Sequence, residues 1–110
     1  MRKIEKQMND AITNNENWKS ANTVVTYDEQ NDLSIVFLHG KKIAEIGETF
    51  LRLFDGGWQS NTTKSRLNAI LQAHGECGDR VFQKAGEWFL KMNTVQGLTT
   101  VPFFSSMRLG

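Results

Sequence analysis

The chain has few of the residues that supply covalent or metal-based structure. Its 110 residues include a single cysteine, Cys77, and a single proline. A lone cysteine excludes a disulfide within the chain, and no group of cysteine and histidine residues has the spacing of a zinc site. The sequence therefore predicts a fold held by non-covalent packing, with no metal and no cofactor.

The chain also lacks an excess of charge of either sign. Thirteen Lys and Arg residues against twelve Asp and Glu residues give a formal net charge of +1. This balance excludes attraction to nucleic acid or to an acidic membrane by the overall field, and it excludes an acidic mimic of DNA. Any binding of nucleic acid must be weak or must depend on a local cluster of cations.

Long apolar runs are absent as well. No stretch approaches the roughly 18 apolar residues that a membrane span needs, and the charged residues 1–6 are not followed by the apolar segment of a secretory signal. We therefore expect a cytoplasmic protein with no membrane partner.

Large apolar side chains are well represented. Hydrophobic residues make up 39% of the chain, with seven Phe and three Trp among them, which is enough to drive compact folding. No change of composition divides the chain, so residues 1–110 are predicted to form one domain. We expect residues 1–21 to form an N-terminal helix and connector, and residues 93–110 to form an irregular tail.

The periodicity of the apolar residues predicts an α+β fold. Ile4, Met8 and Ile12 recur at helical spacing and predict a helix over residues 2–18, which the poor helix formers at 13–17 are expected to fray. A second helix is predicted over residues 62–75, which begin with capping side chains and end with glycine. β-branched and aromatic runs predict strands at 23–27, 33–38, 43–46, 50–54, 80–84 and 87–91. The expected architecture is an antiparallel sheet, a four-stranded meander plus a C-terminal hairpin, covered by the two helices.

The start of the second helix is the main candidate site. Free amides at a helix start attract anions, and hydroxyl and cationic side chains can add contacts to phosphate. The candidate phosphate-binding residues are Thr62, Thr63, Lys64, Ser65 and Arg66. The alternative is a capped helix whose two cations lie in water. Because no glycine precedes Lys64, the segment does not match a nucleotide-binding P-loop, and hydrolysis of nucleotides is not expected.

A second candidate surface lies in the predicted C-terminal hairpin. Trp88 and Phe89 are adjacent on a strand and must point to opposite faces of the sheet, so one of them is expected to face away from the core. An exposed aromatic ring beside cations could stack on bases. The candidate contacts are Trp58, Arg80, Lys84, Trp88 and Lys91.

No enzyme is expected from this sequence. His39 lies at a predicted turn, and His74 closes the apolar face of the second helix. Neither histidine has the companions of a catalytic triad or a metal site, and Cys77 has only Arg80 as a nearby cation. All three residues are therefore assigned structural roles.

The order of elements resembles the double-stranded RNA-binding domain. That family also has an N-terminal helix, an antiparallel meander and a second helix whose cations contact phosphates. Here residues 63–66 stand where that family has a lysine-rich signature, and the chain adds a strand and a C-terminal hairpin. The resemblance implies contact with phosphates through Lys64 and Arg66.

A second resemblance, over about residues 33–92, is to small proteins of tailed bacteriophages whose activity is not settled. It is carried by Leu38-His39-Gly40, Ile43-Ala44, Gly57-Trp58-Gln59, the run from Thr62 to Asn68, Gln83-Lys84 and Glu87-Trp88. The resemblance implies a viral accessory protein that works in the cytoplasm of an infected bacterium.

Three functions remain open on this basis. The first is non-enzymatic binding of DNA or RNA through the start of the second helix. The second is inhibition of a host or anti-phage defence enzyme by binding that bacterial protein, with aromatic and arginine side chains as anchors. The third is self-association through the β-rich surface, and the oligomeric state is left open. The helix start favours the first.

Overall fold

The computed structural model describes residues 1–110 and contains two helices and nine strands. The helices are α1 (Lys3–Thr13) and α2 (Asn61–His74). The strands are β1 (Trp18–Ser20), β2 (Thr23–Asp28), β3 (Leu33–Leu38), β4 (Lys41–Ile46), β5 (Leu51–Leu53), β6 (Arg80–Lys84), β7 (Glu87–Thr94), β8 (Gly97–Pro102) and β9 (Met107–Leu109).

A six-stranded antiparallel sheet forms the larger layer. Its strand order is β1-β2-β3-β4-β5-β9, so the predicted meander is present and is extended by one short strand at each edge. A bulge between Val36 and Phe37 breaks the register of β3 with β4. Ile43 and Ala44 are consequently both buried, and Lys42 lies on the opposite face. We call this layer the large sheet.

The predicted C-terminal hairpin is part of a three-stranded antiparallel sheet, β6-β7-β8, which we call the small sheet. The prediction of an irregular tail over residues 93–110 was wrong, because β8 and β9 both lie within it. Strand β8 escaped notice because its residues are nearly all exposed and show no apolar alternation. Its backbone pairing with β7 supplies the stabilisation that burial does not.

The first helix is shorter than the sequence predicted. It ends at Thr13, and Asn15 has a positive φ of 54°, which turns the chain back toward the sheet. Trp18 belongs to β1, where it pairs with Val25. Its apolar ring was compatible with the helical pattern, but it packs on the core from the edge of the large sheet.

Both helices cover one face of the large sheet and share a core with it. Helix α1 packs against α2, β1 and β2, and α2 packs against β4 and β6. The 20 buried hydrophobic residues form one cluster, which includes Met8 of α1, Ile70 of α2, Val36 of the large sheet and Leu90 of the small sheet. The predicted fold class, an antiparallel α+β fold covered by two helices, is confirmed.

Candidate nucleic-acid interface

The start of α2 is a capped helix end. Ser60 is the N-cap, and its hydroxyl accepts a hydrogen bond from the Thr63 amide at 3.1 Å. The Thr63 hydroxyl lies 2.9 Å from the Ser60 hydroxyl, and Thr63 is only 4% exposed. Thr63 was predicted to contact phosphate, but its side chain is buried and takes part in the helix cap, so it is not accessible to a phosphate.

Arg66 and Ser65 join the two helices. The guanidinium of Arg66 forms a 2.9 Å ion pair with Glu5 of α1 and donates to the Thr23 hydroxyl at 3.1 Å. The Ser65 hydroxyl donates to the same Glu5 carboxylate at 2.6 Å. Because Arg66 and Glu5 are both buried, a phosphate cannot reach them. The prediction that Arg66 and Ser65 form an exposed anion site is corrected here: the cation neutralises a buried carboxylate.

The ionisation of Glu5 depends on this arrangement. Burial by itself raises the pKa of the Glu5 carboxyl, because the charged form loses its hydration. Hydrogen bonds from Ser65, Arg66 and the Arg2 amide, together with the positive charge of Arg66, outweigh burial and hold the pKa of Glu5 below its usual value. The carboxylate is therefore kept charged inside the protein.

Lys64 and Thr62 remain accessible from solvent. Both are half-buried, and they do not point to a common centre. The Lys64 ammonium donates to the Gln83 side chain of β6 at 3.2 Å. Thr62 lines a cleft of about 150 Å³ with Lys41 and Trp58. The structure therefore disperses the five predicted helix-start residues and directs Lys64 toward the small sheet.

The small sheet has one buried face and one open face. Val81, Trp88 and Leu90 point into the core, and the Trp88 ring packs edge-on against Phe103 at 5.5 Å. The proposed contact from Trp88 is therefore corrected, because the side chain is only 4% exposed. Phe89 is the residue of the pair that faces outward, as the alternation of the strand requires.

The open face of the small sheet brings together two rings and three cations. Phe89 stacks on Phe82 of β6, with ring centroids 5.6 Å apart and planes 23° apart. Arg80 lies opposite Lys91 at one end of the rings, and Lys84 lies opposite Glu87 at the other. Arg80, Lys84 and Lys91 are exposed and belong to none of the three salt bridges in the molecule. We call this surface the ring-and-cation face.

Phe82 was missed by sequence reasoning. The signal was present, because Arg80, Phe82 and Lys84 alternate at every second position and so share one face of a strand. The alternation by itself does not show which of the two faces is open. In the structure, Val81 is the one buried residue of β6, so the face of Arg80, Phe82 and Lys84 is the one that points away from the core. Trp58, the remaining candidate, is 75% exposed in the loop before α2 and lies outside the ring-and-cation face.

The histidines and acidic residues are not gathered into a metal site. No group of three or more His, Cys, Asp or Glu side chains is arranged to hold a metal ion. His74 lines a cleft of about 250 Å³ beside Phe50, and burial lowers the pKa of its imidazole because the charged form is desolvated. His39 is exposed at a turn, with a positive φ of 51°.

Comparison with known families identifies the family of the chain. Residues 1–110 match the family described as the Kyanoviridae Gp96 protein. Comparisons with curated proteins and with solved structures gave no match. Neither helix has the length and apolar character needed to cross a membrane. Because the family match covers every residue and confirms the resemblance to tailed-phage proteins, the chain belongs to the Kyanoviridae Gp96 family of phage proteins.

Proposed function

We propose that this phage protein is a non-enzymatic accessory protein that binds single-stranded nucleic acid in the cytoplasm of the infected bacterium. The observation that carries the proposal is the stacked pair of Phe82 and Phe89, which is half-buried and flanked by exposed cations. Aromatic side chains on an open sheet provide platforms for unpaired bases, each worth about 1 to 3 kcal/mol. Bases inside a duplex cannot reach such a platform.

The spacing of the side chains suits a nucleic-acid strand that runs along β6. Arg80, Phe82 and Lys84 occupy alternate positions of β6, so neighbouring members are about 7 Å apart. A backbone phosphate can contact a cation at either end while a base lies on the rings between them. Lys91 doubles the charge at the Arg80 end.

Lys64 lies beside β6 but on the other side of the small sheet. Its ammonium donates to Gln83, which alternates with Phe82 and Lys84 along the strand and so shares the face of Trp88. Lys64 is therefore not part of the ring-and-cation face, and a contact between Lys64 and phosphate stays a prediction.

Binding to labelled oligonucleotides tests the proposal. Fluorescence anisotropy is measured with single-stranded DNA, single-stranded RNA and a duplex, at roughly 50 mM and 200 mM salt. We expect the single strands to bind more tightly than the duplex. Phe82→Leu/Phe89→Leu is expected to weaken binding about tenfold, since one stacked base is lost while apolar volume is largely kept.

Two charge variants separate this face from general electrostatics. Arg80→Ala/Lys91→Ala is expected to reduce the slope of log affinity against log salt by about 0.7 for each lost phosphate contact. The matched control is Lys3→Ala/Lys6→Ala, which removes the same charge from the exposed side of α1. Equal losses in both variants, or no binding by the unaltered protein at low salt, would contradict the proposal.

A further inference from the structure

The large sheet has a second open surface, on the side away from the helices. The two helices pack against the opposite side. The side chains that the strand registers place on this side are Lys19, Val24, Thr26, Asp28, Leu33, Ile35, Phe37, Lys42, Glu45, Arg52 and Arg108, with Phe50 and Phe54 beside them. We call this surface the open face of the large sheet.

Cations outnumber carboxylates on this open face. Four cations stand against two carboxylates, Glu45 and Asp28, and Glu45 is shared by Lys42 at 3.0 Å and Arg52 at 3.8 Å. Lys19 and Arg108 form no salt bridge. The excess of positive charge therefore favours a partner that supplies negative charge. A second copy of this chain placed face to face would instead bring like charges together.

Two of the three aromatic rings on this face are covered by cations. The Lys42 ammonium lies 4.5 Å from the centroid of the Phe54 ring, and the Arg108 guanidinium lies 4.7 Å from that of Phe50. A base could stack on either ring only by displacing its cation. The third ring, Phe37, is half-buried beside Val24 and lacks the stacked neighbour that Phe82 and Phe89 provide for each other on the small sheet, so the two open surfaces suit different partners.

An apolar strip runs between the cations. Val24 of β2 and Leu33, Ile35 and Phe37 of β3 are half-buried and point to the open side. Two neighbouring strands about 4.8 Å apart form a strip about 10 Å wide, which is about the diameter of one α-helix. Lys42 and Arg52, on β4 and β5, lie along one side of this strip, and Lys19 lies along the other.

We propose that the open face of the large sheet binds an acidic amphipathic helix of a partner protein. The apolar side of that helix covers the strip formed by Val24, Ile35 and their neighbours. Carboxylates along its flanks pair with Lys42, Arg52 and Lys19. This surface is separate from the ring-and-cation face, so the inference does not depend on the binding of nucleic acid.

A designed peptide provides the first test. The probe is a labelled helical peptide of roughly 18 residues, long enough to be partly helical in water, with leucines on one side and glutamates along both flanks. We expect it to bind with micromolar affinity and to shift the amide resonances of β2, β3 and β4. A peptide with lysine in place of every glutamate is expected to bind at least tenfold more weakly.

Variants of the protein complete the test. Arg52→Glu and Lys19→Glu are expected to weaken binding of the acidic peptide at least tenfold, and Lys91→Glu on the small sheet is the matched control that leaves it unchanged. Circular dichroism establishes that each variant is folded. The proposal is overturned if the basic peptide binds equally well, if the shifts map elsewhere, or if single-stranded DNA binding is lost in Arg52→Glu but kept in Lys91→Glu.

Discussion

At the scale of the residue, two cations of the same helix turn have opposite roles. Lys64 and Arg66 are two positions apart, so they point in different directions around α2. Lys64 lies at the surface beside Gln83, whereas Arg66 lies in the interior against Glu5. Because both side chains are positively charged, the sequence predicted the same role for them. The structure shows that they differ in burial.

The buried ion pair gives the first prediction. Arg66→Ala leaves the Glu5 carboxylate buried without its cation, so the free energy of unfolding is expected to fall by about 3 to 5 kcal/mol. Lys64→Ala, on the same helix turn, is the control and is expected to change stability by less than about 0.5 kcal/mol. Urea denaturation of the two variants and the unaltered protein measures both changes. A loss below about 1 kcal/mol for Arg66→Ala would contradict the buried pair.

Replacing both partners tests the reason for that loss. In Glu5→Leu/Arg66→Met no buried charge is left unpaired, so much of the stability is expected to return. If the double variant is less stable than Arg66→Ala, the pair contributes through its own attraction and not through the desolvation of an orphaned carboxylate. Arg66 variants are accordingly unsuitable as tests of phosphate binding, since their effect on folding would dominate.

The pKa of His74 gives a pH prediction. Burial lowers this pKa below its usual 6.5, and the Nε2 atom is buried without a hydrogen-bond partner. The unfolded chain therefore takes up a proton before the folded protein does, and stability falls as the pH drops below about 6.5. The low pKa of Glu5 adds a further loss at more acid pH, below its usual 4.5.

The variant His74→Leu isolates the contribution of the histidine. We expect its stability to change less between roughly pH 7.5 and 5.5 than that of the unaltered protein, because the desolvated imidazole that resists protonation is gone. Urea denaturation at the two pH values measures the difference. Identical pH dependence in both proteins would show that His74 does not titrate across this range.

At the scale of the element, one side chain joins α2 to the small sheet. The Asn68 amide donates to the Val81 carbonyl at 2.9 Å and accepts from the Val81 amide at 2.8 Å. These two hydrogen bonds replace a neighbouring strand at the edge of β6. The helix thereby holds the strand that carries Arg80, Phe82 and Lys84 in the proposed interface.

Substitution of Asn68 is the element-scale prediction. Asn68→Ala leaves the backbone groups of the buried Val81 unpaired, at about 1 to 3 kcal/mol for each group. We expect faster hydrogen exchange at the Val81 amide together with lower stability. Gln72→Ala, an exposed position one turn along α2, is the control. Unchanged protection of the Val81 amide would show that the bonds do not fix β6.

At the scale of the whole molecule, both sheets share one core. Val81 and Leu90 of the small sheet belong to the same buried cluster as Leu67 of α2 and Leu53 of the large sheet. After the small sheet the chain returns as β9 and pairs with β5, so the large sheet contains both early and late segments of the sequence. That one domain covers residues 1–110 stays a prediction.

Calorimetry tests that prediction. We expect one thermal transition whose calorimetric and van't Hoff enthalpies agree, with an enthalpy of about 70 to 80 kcal/mol near 60 °C. A shared core makes the small sheet unable to unfold while the large sheet remains intact. Two resolved transitions, or a calorimetric enthalpy well above the van't Hoff value, would show that the sheets are separate folding units.

Both functional proposals also belong to this scale, because the fold presents two cationic surfaces with different chemistry. One has a stacked pair of half-buried rings and suits bases, and the other has two cation-covered rings beside an apolar strip and suits an acidic helix. Inhibition of a host or defence enzyme stays a prediction, as does self-association.

Local patterns made the elements predictable, and their absence explains the errors. The paired strands β2 and β3 were recognisable from β-branched runs around a polar turn, and α2 from its periodicity and final glycine. Strand β8 has no such pattern. Within the candidate site, Arg80, Lys84 and Lys91 lie on the strands that carry Phe82 and Phe89, and their contact with a ligand stays a prediction.

The sequence by itself determined the α+β class, the two helices and most of the strands, because periodicity and turn residues act over a few neighbouring positions. It also determined that Trp88 and Phe89 lie on opposite faces. Only the tertiary structure decided that Trp88 is the buried one, that β9 completes the large sheet, and that Arg66 meets Glu5 in the interior. Each of these three features depends on contacts between segments that are distant in sequence. Burial and charge pairing are set by the side chains that the fold brings together, and local sequence patterns do not specify those neighbours.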